Sequence, residues 1–158
     1  MATFPMTKRG TKLLKDKLHW LKTVERPAVI QSIAEARAQG DLSENADYDA
    51  AKEKQGFIEA HISDLEAKLS AAQIIEPTSV EADGRVVFGA TVDLEDLKSG
   101  ECKTYQIVGD DEADLDQDLI SISSPIAQAL IGKYEGDVAA FHTPGGMREV
   151  EIVRIRYI

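Results

Sequence analysis

The chain has 158 residues, enough for one large domain or two small ones. A net charge of -10 argues against general affinity for nucleic acid, and no apolar run is long enough to span a membrane. The only cysteine, Cys102, leaves no internal disulfide, the start carries no signal-peptide pattern, and His19, His61 and His142 lack metal-ligand spacing, so a cytoplasmic protein without a zinc site is expected.

Charge is unevenly spread. Residues 1–40 carry 8 Lys/Arg against 3 Asp/Glu, residues 41–76 carry 3 against 9, and residues 77–158 carry 7 against 16. The first two segments are therefore oppositely charged, which favours their pairing.

In chain order, Thr7 is a plausible N-cap for a first helix with Leu13, Leu14, Leu18, Leu21 and Val24 on one face. Pro27 should kink this helix or start a new segment. The apolar stripe resumes at Ile30 and Ile33 and fades into Ala34, Ala36 and Ala38, which would make the distal part slim, and Gly40 breaks the helix. A second helix is expected to begin near Asp41 to Ser43, with a stripe at Ala51, Ile58, Ile62, Leu65, Leu69 and Ala72 whose later steps alternate four and three. Leu14 with Leu69, Leu18 with Leu65 and Leu21 with Ile62 share one midpoint, between Asp41 and Leu42. A common midpoint is what an antiparallel helical hairpin requires. Each arm spans roughly 50 Å at ~1.5 Å per residue.

Residues 1–76 are thus read as a coiled-coil hairpin with an acidic tip near 40–45, 77–84 as a linker, and 85–158 as a compact β-sheet domain with one short helix, an α+β fold class. The strand candidates are Arg85–Val92, Lys103–Val108, Leu119–Ile122, Val138–His142 and Glu149–Ile158. Ser124-Pro125, then Ile126 to Ile131 and Gly132, gives an N-cap, a proline at the first helical position and a glycine stop. Thr143-Pro144-Gly145-Gly146 reads as a hairpin turn.

Asp41 and Glu44 are the candidate functional pair. Asp41-Leu42-Ser43-Glu44 fits a capping box, in which Asp41 bonds the third helical amide and Glu44 reaches back. It also fits a metal-ligand pair. Asp47 and Asp49 add negative charge nearby, and Mg²⁺ is often held by one or two carboxylates while another molecule supplies the remaining oxygens.

Four blocks of the sequence resemble a known family. They are Gly40 to Tyr48 followed by Ala50-Ala51-Lys52-Glu53, then Gly109-Asp110-Asp111-Glu112-Ala113-Asp114, then Ile122 to Lys133, and finally Thr143 to Gly146. In that order they are similar to the bacterial Gre transcript-cleavage and elongation factors. The resemblance implies an N-terminal antiparallel α-helical coiled-coil hairpin and a C-terminal FKBP-like domain. The hairpin would enter the secondary channel of bacterial RNA polymerase. There Asp41 and Glu44 would help hold an Mg²⁺ shared with the polymerase, not bound tightly by the free protein, and promote cleavage of a backtracked nascent RNA near its 3′ end. The chemistry would remain the polymerase's own, so the chain is not expected to be an enzyme by itself, nor to take a small-molecule substrate or a membrane partner. The family's basic patch maps onto Arg37 and Lys52 as RNA-binding residues, and Ser123, Ser124, Pro125 and Ile126 onto a polymerase-contacting segment. Each has a plainer role open to it: a solvated pair for Arg37 and Lys52, and an N-capped helix packed on the sheet for the segment. The acidic run Asp110, Asp111, Glu112, Asp114, Asp116 and Asp118 is either a solvated loop or a surface complementary to a basic patch. The competing functional reading is a Gre-like channel-binding regulator or inhibitor without cleavage activity, and a further one a coiled-coil adaptor.

Overall fold

The computed structural model describes residues 3–40 and 45–158. Contacts divide these into two compact units. One is Lys12–Ala71, and the other combines Thr3–Thr11 with Ala72–Ile158.

The first unit is a helical hairpin. Helix α1 (Lys8–Trp20) runs through one π-helical turn (Leu21–Glu25) into α2 (Arg26–Arg37), and α3 (Ala46–Ser70) returns. Cross-arm partners descend along α3 as they ascend the first arm, so the arms are antiparallel: Lys22 pairs with Glu66 at 2.8 Å, Arg26 with Glu59 at 2.7 Å, and the Asn45 side chain bonds the Ala36 carbonyl.

Pro27 stands in the first turn of the new segment α2, as expected, without interrupting the helical run. It lacks an N–H, and its ring crowds the preceding turn. The helix widens there instead, and the Arg26 N–H reaches back five residues to the Leu21 carbonyl. That extra residue shifts the apolar phase by one position. Heptad steps from Leu14 and Leu21 would bring Glu25, Ala28, Ser32 and Glu35 into the seam, whereas the buried residues are Val29, Ile33 and Ala36. The sequence-based stripe is also corrected at three positions off the seam in either phase: Leu13, Val24 and Ile30 are exposed. On α3 the stripe holds, with Ala51, Ile58, Ile62 and Leu65 buried and Leu69 half-buried.

The second unit holds the main core. Strand β1 (Phe4–Thr7) pairs in parallel with β2 (Ala72–Ile75), neither of which the apolar pattern predicts. Because β2 belongs here, the hairpin ends at Ala71 and not at residue 76. The segment expected to be a linker is packed as well: Pro77 is buried in a 3₁₀ turn (Pro77–Ser79), and Ala82 is 7% exposed. A five-stranded sheet follows, built from β3 (Thr91–Asp96), β4 (Cys102–Val108), β5 (Leu119–Ser121), β6 (Val138–Thr143) and β7 (Gly146–Arg156) in the order β5-β4-β3-β7-β6. All neighbours are antiparallel except β4 and β5. Helix α4 (Pro125–Leu130) covers it, and Val86, Val92, Ile107, Leu130 and Ile152 form the fully buried centre.

The first strand of this sheet lies later than Arg85–Val92. Arg85 makes only an isolated bridge to Tyr134, and Val86 is buried outside any strand. The backbone turns at Gly89 (φ 90°), and regular pairing starts at Thr91 and continues into the charged stretch Asp93–Asp96. Both aspartates there have fixed partners. Asp93 accepts from Thr104 (2.6 Å) and Arg156 (2.8 Å), and Asp96 accepts from Arg148 (2.7 Å).

Candidate site at the hairpin bend

Helix α2 ends at Arg37. The Gln39 and Gly40 amides bond back to the Ala36 and Arg37 carbonyls, and Gly40 takes φ 101°, a conformation that favours glycine. Asp41 and Glu44 lie outside the described residues, in the segment that joins Gly40 to Asn45. Helix α3 starts at Ala46, later than the Asp41–Ser43 expected from the sequence.

Its N-cap is Asn45, so the capping-box reading of Asp41 is replaced. Asn45 is extended (φ -96°, ψ 97°) and its Oδ1 accepts the Tyr48 N–H, the third helical amide, at 3.0 Å. The same side chain donates from Nδ2 to the Ala36 carbonyl at 2.8 Å. One amide therefore caps α3 and ties it to the last turn of α2, which explains why a polar residue is only 8% exposed here. Asn45 was legible as a cap only in part. Asparagine leads the N-cap preferences, and Asp47 and Asp49 in the next turn suit a helix start. Nothing in the sequence announces its second bond, whose partner lies in the other arm.

Arg37 and Lys52 are both exposed, flanking the bend on α2 and α3. The Arg37 guanidinium lies 5.9 Å from the Tyr48 ring centroid, within cation–π range. Lys52 Nζ donates to Gln55 Oε1 at 3.1 Å. Among the described residues neither is in an ion pair, unlike Lys22, Arg26 and Lys54 further along the arms.

Ser123 to Ile126 largely serve the fold. Ser123 Oγ donates to Asp110 Oδ1 at 2.7 Å. Ser124 caps α4 by accepting the Ala127 N–H (3.3 Å) while its hydroxyl donates to the Ser121 carbonyl (2.7 Å). Ile126 is half-buried against the core, and Pro125 is exposed at the first helical position. The outward-facing part of this segment is thus Ser123 and Pro125.

The acidic run is not a uniform solvated loop. Glu112 accepts the Thr7 N–H at 3.0 Å, the Thr7 hydroxyl, and the Gly109 N–H at 2.8 Å. Thr7 in turn caps α1 through the Gly10 N–H (3.0 Å), as its sequence context suggests. The carboxylate fills the space a side chain at Gly10 would need: a Cβ there would lie 1.7 Å from Glu112 Oε1. Asp114 folds its own loop, accepting the Asp116 N–H (3.0 Å) and the Gln117 side-chain amide (3.1 Å).

No group of three or more His, Cys, Asp or Glu among the described residues is arranged to hold a metal ion, and no described helix is long and apolar enough to cross a membrane.

With this geometry in view, comparison with known proteins is decisive on class. The family model "Transcription elongation factor, N-terminal" matches residues 4–74, and "Transcription elongation factor, GreA/GreB, C-term" matches residues 81–157. The chain belongs to the GreA/GreB family of transcription elongation factors. Relatives named transcription elongation factor GreA include those of Ralstonia nicotianae, 69% identical over 158 residues, and Neisseria meningitidis serogroup A, 61% identical over 158 residues, each alignment covering 100% of both chains. Among solved structures, GreA factor homolog 1 of Thermus thermophilus is 35% identical with TM-score 0.45, over 98% of this chain and 99% of that one.

Proposed function

We propose that this elongation factor binds bacterial RNA polymerase through its secondary channel and stimulates the polymerase's Mg²⁺-dependent cleavage of backtracked nascent RNA, rescuing arrested complexes. The observation that carries this reading is Asn45. It supplies the cap of α3, so the acidic pair preceding it is not required to start the helix. Two carboxylates are hard oxygen donors, suited to Mg²⁺, and a pair leaves most of an octahedron for water and other molecules. An incomplete donor set fits a centre completed by a second protein.

In this reading Mg²⁺ supplies Lewis acidity and a more acidic bound water. This chain contributes oriented negative charge at Asp41 and Glu44, and its helical arms deliver that charge stiffly, which is a positioning effect. Arg37 and Lys52, exposed and without ion-pair partners among the described residues, would offset the phosphates of the extruded RNA 3′ end. Ser123 and Pro125 are the polymerase-facing candidates of the sheet unit. The chain acts as a cofactor of the polymerase and performs no hydrolysis alone.

The experiment is 3′-end cleavage of labelled RNA in a stalled bacterial polymerase complex, with and without the protein, across Mg²⁺ concentration. Asp41→Ala and Glu44→Ala are expected to abolish stimulation while still competing with wild type for the polymerase. Wild-type cleavage by both variants would refute the role of the pair.

A further inference from the structure

Asn45 brings two stretches of backbone together at the bend. Its side chain holds the Ala36 carbonyl at 2.8 Å and the Tyr48 N–H at 3.0 Å. Ala36 precedes Arg37, the last residue of α2, and Tyr48 is in the first turn of α3. The contact that results, with the Arg37 guanidinium carbon 5.9 Å from the Tyr48 ring centroid, joins the arms across a fixed backbone separation. Further along the hairpin, cations that reach across meet carboxylates: Lys22 meets Glu66, Arg26 meets Glu59 and Lys54 meets Glu25. A carboxylate restrains a guanidinium, but it also neutralises it and occupies its N–H donors. An aromatic face restrains it through the ring quadrupole and does neither. Arg37 is exposed, and its ring contact leaves free the planar N–H fork that takes two phosphate oxygens at once. Among the described residues the Tyr48 hydroxyl has no hydrogen-bond partner, so what this half-buried side chain offers Arg37 is its ring.

We propose that Tyr48 is a positioning residue for Arg37: its ring holds the guanidinium at the bend, still charged and with its donors free, for a phosphate of the RNA extruded from a backtracked polymerase. This rests on the RNA contact given to Arg37 above. The ring meets the face of the guanidinium and a phosphate meets its edge, so the two contacts coexist. An unrestrained Arg side chain loses rotamer freedom when it binds; one already laid against a ring loses less, and the difference appears as tighter engagement. At an exposed site a contact of this kind corresponds to about two- to fivefold in affinity.

Tyr48→Leu removes the ring and Tyr48→Phe keeps it, and both leave the backbone N–H that Asn45 accepts. Each variant competes with labelled wild type for two stalled polymerase complexes, one backtracked with its RNA 3′ end extruded and one with that end in the active register. Tyr48→Leu is expected to compete about two- to fivefold less well for the backtracked complex and equally for the other. Tyr48→Phe should match wild type in both. In an Arg37→Ala background, Tyr48→Leu should cost nothing further. In the free proteins, the ring current of residue 48 should move the Arg37 side-chain protons upfield by NMR in wild type and Tyr48→Phe and not in Tyr48→Leu, whose helix content and Tm should stay near wild type. Equal losses for both complexes, an equal loss for Tyr48→Phe, or a loss that persists undiminished without Arg37 would mean that Tyr48 serves the fold or touches the polymerase directly, and overturns the inference. So does a wild-type Arg37 without the upfield shift, which is read whether or not the leucine variant folds. If Arg37→Ala competes less well for the backtracked complex and Tyr48→Leu does not, the inference falls alone. If Arg37→Ala competes as wild type does, the RNA contact falls and takes the inference with it.

Discussion

The two units solve the same problem, keeping charged chain folded, by different means. In the sheet unit, Asp93, Asp96 and Glu112 are each held by several donors. Asp96, 8% exposed, accepts the Lys98 and Ser99 amides and two Arg148 nitrogens, and these bonds, the Ser99 amide foremost, lower its pKa to about 2. Asp93 is held below the usual carboxylate range by the Thr104 hydroxyl and then by Arg156. Glu112 fastens the start of α1. In the hairpin, the cross-arm pairs Lys22–Glu66, Arg26–Glu59 and Glu25–Lys54 are largely solvated. Exposed pairs of this kind contribute little and set register more than stability. The hairpin therefore stands on its single apolar seam, while the sheet unit stands on a closed core reinforced by satisfied acids. The hairpin's ion pairs stay open to solvent, whereas Asp93, Asp96 and Glu112 are committed to the fold of the sheet unit.

The largest test of this contrast is to cut the seam. Leu65 is 2% exposed in α3, and Leu65→Ala should destabilise by about 2–5 kcal/mol, as cavity-forming substitutions do. With no second layer behind the seam, the loss should fall on the hairpin. Far-UV circular dichroism and hydrogen exchange are expected to show α3 opening at a lower temperature while the β3–β7 amides stay protected. Uniform loss of protection in both units would show that they unfold as one and would remove the contrast.

Next in size is the joint at Gly10. Gly10→Ala displaces the Glu112 carboxylate and with it the bonds from Thr7 and Gly109, at a cost of about 1–3 kcal/mol, in the range of overpacking. A double-mutant cycle sharpens the claim. In a Glu112→Ala background, Gly10→Ala should cost nothing further by chemical denaturation, because the obstacle is gone. An undiminished cost there would place the obstacle elsewhere.

Smaller again is the acid dependence carried by Asp96. Its folded pKa lies near 2, below the ~3.9 of an unfolded aspartate. Its stabilising contribution is therefore complete above about pH 4 and is lost as pH falls from there through 2. Asp96→Asn should lower Tm at neutral pH and flatten the fall in Tm between those values. An unchanged acid limb would assign that dependence to other carboxylates.

What the sequence made legible follows the same division. Local signals were readable: Thr7 as the α1 cap, the four-three stripe of α3, Ser124-Pro125 opening α4, and the turn at Thr143 to Gly146 all depend on residues within one turn of each other. Features set by distant partners were not. Asp93 to Asp96 looks like loop because Arg156 and Arg148 lie 63 and 52 residues away. Short β2 follows a helix directly and is a strand only because β1, at the other end of the hairpin sequence, pairs with it. The phase shift at Pro27 was hidden because a proline signals disruption without saying which backbone rearrangement absorbs it, and that one position puts Val29, Ile33 and Ala36 in the seam in place of Ala28, Ser32 and Glu35. At the bend, motif and chain midpoint indicated where the candidate carboxylates belong in the sequence. The cap was misassigned to Asp41 because several good capping residues stand in a row there, and the cross-arm bond that selects Asn45 is not a local property.

The smallest effect has the opposite sign. Gly56 sits in the middle of α3, and a Cβ built there would meet no heavy atom within 4 Å. Glycine in a helix interior costs roughly 0.5–1 kcal/mol relative to alanine through backbone entropy alone. Gly56→Ala should therefore stabilise by about that amount, read as a higher hairpin melting temperature with no change in the sheet unit. Together with Gly10 it makes a matched pair: one glycine is required by a carboxylate from 102 residues away, and the other by nothing in the folded protein. If Gly56→Ala left stability higher but cleavage stimulation lower, bending at that point of α3 would be part of how the hairpin works, and the stiffness assumed for its delivery of charge would need to be limited to the arm between Gly56 and the bend.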